Sequence, residues 1–170
     1  MAPVNYGDLA PARSKPSVDY DVQTSDRVDG TVLPQPRLRD RVQEVFERSG
    51  LFSRVQPGPG AGEYHVAIVF GGLPLEEGQR VYGVISGATA CLAPLVNNET
   101  YVMVANVTKG DRPVKRYEYR ERMEVFAWSP VGMVAELADT KAMDGLVDAM
   151  LLSLLRDLQH DGILETATAK

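Results

Sequence analysis

The stretch that decides the fold is Tyr101-Val102-Met103-Val104-Ala105-Asn106-Val107-Thr108, joined by Lys109-Gly110-Asp111-Arg112-Pro113 to Val114-Lys115-Arg116-Tyr117-Glu118-Tyr119-Arg120. Both arms alternate with period two on either side of a Gly-Asp turn, which predicts an antiparallel hairpin with one buried and one wet face. The wet face of the second arm displays a charged comb, Arg116, Glu118 and Arg120. The arm continues through Met123, Val125 and Ala127 on the face shared by Tyr117 and Tyr119. Glu121, Arg122 and Trp128 extend the charged surface.

Moving toward the C-terminus, Met143, Leu146, Val147, Met150, Leu151, Leu154, Leu155 and Leu158 form an unbroken stripe at helical spacing from about Thr140 to His160. Gly162 is placed to stop this helix, with Ile163 making the hydrophobic contact beyond it. Toward the N-terminus, Tyr64-His65-Val66-Ala67-Ile68-Val69-Phe70 is a nearly continuous apolar run, read as a strand covered on both faces. Before it come the turn-rich Pro57-Gly58-Pro59-Gly60-Ala61-Gly62 and a short strand, Leu51 to Val55. Leu38, Val42, Val45 and Phe46 recur on one side of an amphipathic helix that ends at Gly50. The stretch from Gln79 to Leu95 suits a helix better than a strand, although Gly83 and Gly87 weaken a helix.

Residues 1–35 differ in composition. Four prolines, five aspartates and scattered Ser, Thr and Gln leave too little apolar surface to offset ordering, so a flexible leader is expected. The expected organisation is a leader over 1–35, one α+β domain over 36–165, and a disordered tail over 166–170. The domain should have an antiparallel or mixed sheet of four to five strands with two or three helices on one face.

The chemistry expected of 170 residues with a net charge of -5 is narrow. An acidic chain lacks the basic face that nucleic acid requires. The single cysteine, Cys91, permits no internal disulfide and no multi-cysteine metal site, and its apolar neighbours suit a small buried hydrophobe. The two histidines, His65 and His160, have no metal-ligand spacing. Ser86 lacks the Gly-x-Ser-x-Gly elbow. Gly58, Gly60 and Gly62 are interrupted by Pro59 and precede a strand, whereas a phosphate cradle follows one and opens a helix. Neither catalytic residues nor a cofactor or metal are therefore expected. The candidate site is a protein-docking surface: Arg116, Glu118, Arg120, Arg122 and Trp128.

The order of helix, Ser49-Gly50-Leu51-Phe52-Ser53-Arg54-Val55, buried strand, Ile85-Ser86-Gly87-Ala88 to Ala93-Pro94, and a hairpin ending Lys115-Arg116-Tyr117-Glu118-Tyr119 resembles small bacterial envelope lipoproteins. Their α+β domain is broadly similar to the N-terminal domain of TolB and to related assembly accessory lipoproteins. The resemblance spans about residues 37–164. It implies a non-enzymatic periplasmic protein, tethered to the outer membrane by a lipid anchor absent from this chain, with a protein partner in the envelope; a separate reading is a homo-oligomer that uses the C-terminal helix. The opening residues show neither a charged n-region nor an apolar h-region. Two readings therefore stay open: a cytoplasmic protein, or one whose signal and lipid-bearing cysteine precede this chain. The rival to an accessory role is a cytoplasmic enzyme or small-ligand domain with a pocket assembled around His65 or Cys91.

Overall fold

The computed structural model describes residues 4–24, 35–72, 95–127 and 132–166. Five strands form one mixed sheet: β1 (Ser17–Thr24), β2 (Arg54–Pro57), β3 (Tyr64–Gly72), β4 (Leu95–Lys109) and β5 (Arg112–Ala127). Their spatial order is β2-β1-β3-β4-β5. The strand β1 lies parallel to both of its neighbours, whereas β3–β4 and β4–β5 are antiparallel. Two helices among the described residues, α1 (Gln35–Ser49) and α2 (Gly132–His160), complete an α+β fold. Among those residues no helix is long and apolar enough to cross a membrane.

Both helices lie on one face, and period-two alternation sends the large apolar side chains there. Val18, Tyr20 and Val22 of β1 meet Val66, Ile68 and Phe70 of β3, Tyr101, Met103 and Ala105 of β4, and Tyr117 and Tyr119 of β5. Leu38, Val42, Val45 and Phe46 of α1, with Val147, Met150, Leu151, Leu154 and Leu155 of α2, close the core. Phe46 packs edge-on to Tyr20 at 6.0 Å and against Phe52 at 5.4 Å. Each such side chain contributes roughly 1.5–3 kcal/mol through burial. Arg37–Asp144 at 2.7 Å and a two-pronged Arg41–Asp148 pair tie α1 to α2. The expected hairpin is present, with Lys109 opposite Arg112 across a two-residue turn and Gly110 at φ 55°. The stop at Gly162 is present too, at φ 71°, with the Leu164 amide donating to the Leu158 carbonyl.

Four expectations are corrected. Residues 1–35 are not wholly a leader, because Ser17–Thr24 is an interior strand whose Val18 and Tyr20 are fully buried. The residues before it are held as well: Val4 is buried, and the Arg48 guanidinium sits 4.8 Å over the Tyr6 ring. The far end joins them, since Thr166 pairs with Ala12 and the Gln159 amide brackets Ala10, which moves Thr166 from tail to domain. The strand expected over Leu51–Val55 runs instead over Arg54–Pro57, while Leu51 plugs the core. Finally, among the described residues β3 is covered on one face only; His65, Ala67 and Val69 are half-buried on the other. The ambiguous stretch from Gln79 lies outside the described residues until Leu95, as do Ser86, Cys91 and Trp128.

Candidate functional site

The face of the sheet opposite the helices is the candidate site. Among the described residues no helix lies on it. Its side chains form rows set by register. One row reads Asp21, Ala67, Asn106, Arg116 across β1, β3, β4 and β5. The next reads Gln23, Val69, Val104, Glu118, and beyond it Val102 stands beside Arg120 and Thr100 beside Arg122. The centre is therefore apolar (Ala67, Val69, Val102 and Val104, all half-buried), with a carboxylate on the β1 side and the comb on the β5 side.

The structure places Arg116, Glu118, Arg120 and Arg122 together, exposed, on the outer face of β5. The Arg120 guanidinium donates to Glu118 Oε1 at 2.7 and 2.9 Å, a pairing between neighbours on one strand. Among the described residues Arg116 and Arg122 have no carboxylate partner. Trp128 lies outside those residues. The sequence reading missed Asp21, His65, Ala67, Val69, Val102 and Val104. The signal was present in the opposite parity of Val102 and Val104 to Tyr101 and Met103, but the strand that neighbours β3 cannot be read from local pattern.

One corner of this face is closed by the chain itself. The link from β2 to β3 passes over β1 in six residues, far shorter than a helical crossover. Gly60 and Gly62 make the passage fit: a Cβ on Gly60 would stand 2.8 Å from Asp19 Oδ2, and one on Gly62 2.7 Å from Asp19 Cγ. The Gly62 amide donates to Asp19 Oδ2 at 2.5 Å and the Gly58 amide to the Tyr20 carbonyl at 2.8 Å. The interrupted glycines thus serve a close backbone crossing over a buried carboxylate.

The ionisable groups elsewhere are arranged for structure. On the helix side, the Tyr119 hydroxyl donates to Asp157 at 2.9 Å and the Tyr117 hydroxyl to Asp161 at 2.6 Å. Burial, then the bond to a carboxylate, pushes both phenols well above their ordinary range. Hydrogen bonds from Lys115 and then Tyr117 hold Asp161 below the usual carboxylate range. His65 Nε2 stands 3.5 Å from Asp21 Oδ2, on the open face, with no nucleophile in the pair. Among the described residues no three His, Cys, Asp or Glu side chains converge as metal ligands. A shallow hollow lined by Asp21, Val22, Pro36, Arg39 and Asp40 contains neither His65 nor any described nucleophile.

No protein-family model and no curated protein matches the chain. Its fold is shared with a solved structure from Xanthomonas campestris, a protein of the DUF330 family, at a TM-score of 0.53 and 13% identity over 91% of this chain and 92% of that one. Among the other similar solved structures are a minor lipoprotein from Acinetobacter baumannii (TM-score 0.45, 8% identity, 89% of this chain and 96% of that one) and the rare lipoprotein B from Shewanella oneidensis (TM-score 0.47, 11% identity, 85% and 98%). The similar structures thus include bacterial lipoproteins, and at these identities the likeness is of fold alone.

Proposed function

We propose that this chain is a non-enzymatic accessory domain of the bacterial envelope that works by protein–protein contact, with the open face of the sheet as its contact surface. The observation that carries the reading is the asymmetry of the sheet. One face is sealed by α1 and α2, and the other presents an apolar centre flanked by exposed charge in fixed rows. Interfaces of this kind pair a partly apolar middle with a charged rim that sets orientation. Support for the envelope placement comes from the sequence resemblance, whose expected α+β fold the chain adopts.

The test is photo-crosslinking in intact source cells from a reactive side chain placed at Val104, with a second at exposed Glu47 on α1 as the comparison site. Capture of a protein that fractionates with the envelope, from residue 104 and not from 47, and its loss in the Arg116→Glu, Arg122→Glu variant, is the expected result. Capture from Glu47 alone, or of a cytoplasmic protein alone, overturns the reading.

A further inference from the structure

We infer that the partner on the open face is a second copy of this chain, related by a two-fold axis that runs parallel to the strands between β3 and β4. The inference rests on the reading of that face as a protein contact, and names its occupant. It follows from the rows. Four of the five strands carry these rows, in the order β1-β3-β4-β5, and the gap between β3 and β4 is the midline of those four; the short β2 lies outside β1, beside Ser17–Tyr20. A two-fold axis along that midline keeps each residue at its level along the strands and exchanges left for right. It therefore lays β5 of one copy over β1 of the other.

At one level this sets Asp21 against the partner copy's Arg116, and Ala67 against its Asn106. At the next it sets Val69 against Val104, and Gln23 against Glu118, whose other partner is Arg120. An isologous contact must be self-complementary, and this pattern is: acid and cation occupy opposite ends of one row, with apolar side chains in the middle of the next. The Asp21 side chain, 3.5 Å from His65 Nε2, still keeps 41% of its surface exposed, and Arg116 has no carboxylate partner among the described residues, so both can reach a second molecule. Stacked sheets pack about 10 Å apart with strand directions within about 30°, a separation that Val, Asn and Gln side chains fill. The loop over Asp19 rises as a shoulder at the start of β1, and the contact runs past it toward Thr24. Symmetry makes the Asp21–Arg116 contact occur twice, so one substitution alters two contacts.

The experiment is sedimentation velocity on the full chain from micromolar to submillimolar concentration, for the wild type, Asp21→Arg, Arg116→Asp, and an equal mixture of the two variants. Arg116 is exposed and Asp21 half-buried, and unchanged thermal midpoints at low concentration establish that the variants fold. The wild type should show a concentration-dependent dimer. Each variant alone should raise the dimer dissociation constant by about tenfold or more, because like charges then face each other. The mixture should recover a heterodimer, because each contact again joins a cation to a carboxylate: the two introduced side chains meet at one, and the native Asp21 and Arg116 at the other. A wild type that is monomeric throughout overturns the inference, as does a dimer or larger ring insensitive to both reversals, or a mixture that fails to associate. A monomeric wild type that still crosslinks from residue 104 to a different envelope protein overturns the self-association and leaves the contact surface standing. Crosslinking from Glu47 alone removes the contact surface as well.

Discussion

On the helix-covered face of the sheet, Tyr20, Phe70, Tyr101 and Met103 are withdrawn from water almost completely, while directly behind them Ala67, Val69, Val102 and Val104 are only half-buried. The two sets alternate along the same strands and share the same backbone hydrogen bonds. What separates them is size and cover: the helix face collects aromatic and long side chains, and the open face collects small and β-branched ones between charges. Stability should therefore reside on one side and recognition on the other, and substitutions should divide accordingly.

The largest effect should come from Phe46→Ala, which empties a fully buried site between Tyr20 and Phe52; unfolding by urea should show a loss of about 3–5 kcal/mol. The matching truncation on the open face, Val104→Ala, should cost less than about 1 kcal/mol in the monomer. Equal costs would erase the contrast between the faces. Next in size, Gly62→Ala drives a methyl onto the Asp19 carboxylate and should lower stability by about 1–3 kcal/mol, read from the urea midpoint. This locates a place where the open face is also structural.

Smaller still is Tyr119→Phe, which deletes the hydroxyl donated to Asp157 and should cost about 0.5–1.5 kcal/mol near neutral pH. The same bond gives a pH signature. Burial and then the carboxylate raise the phenol in the folded chain, so its contribution is complete below about pH 10 and is lost as pH rises further. The variant should therefore show a shallower alkaline loss of thermal stability than the wild type. The smallest effect belongs to the exposed Lys115–Asp161 pair at 2.7 Å. Asp161 is held low in the folded chain, so its contribution is present above about pH 4 and disappears as pH falls. Lys115→Met should flatten the acid limb of a stability profile, read from thermal midpoints between about pH 2 and 6.

Much of this architecture was written in local pattern. The hairpin was legible because Tyr101, Met103, Ala105, Tyr117 and Tyr119 keep strict alternation on both sides of Gly110, and α2 because its stripe spans many turns. The strand β1 was missed although Val18, Tyr20 and Val22 alternate as cleanly. Asp19 and Asp21 between them, and the prolines nearby, gave the segment a disordered composition. Those aspartates are on the open face, one of them roofed by glycines, which no count of residue types conveys. The apolar run of β3 suggested cover on both faces because Ala67 and Val69 are as hydrophobic as core residues. The comb on β5 was legible as a surface. Its counterpart Asp21 was not, because joining them requires register across four strands whose order departs from sequence order.

The contact between Ala10 and Gln159, 149 positions apart, has a consequence for synthesis. The strand β1, earliest in sequence of the five described, is an interior one. It can neither pair fully with β3 until residue 70 has emerged nor gain its clasp until residue 159 has followed. A strand that waits for partners so distant in sequence matures slowly, with the β3 side of β1 unpaired in the interval. Nascent chains should therefore depend on a holding chaperone until β3 has been made.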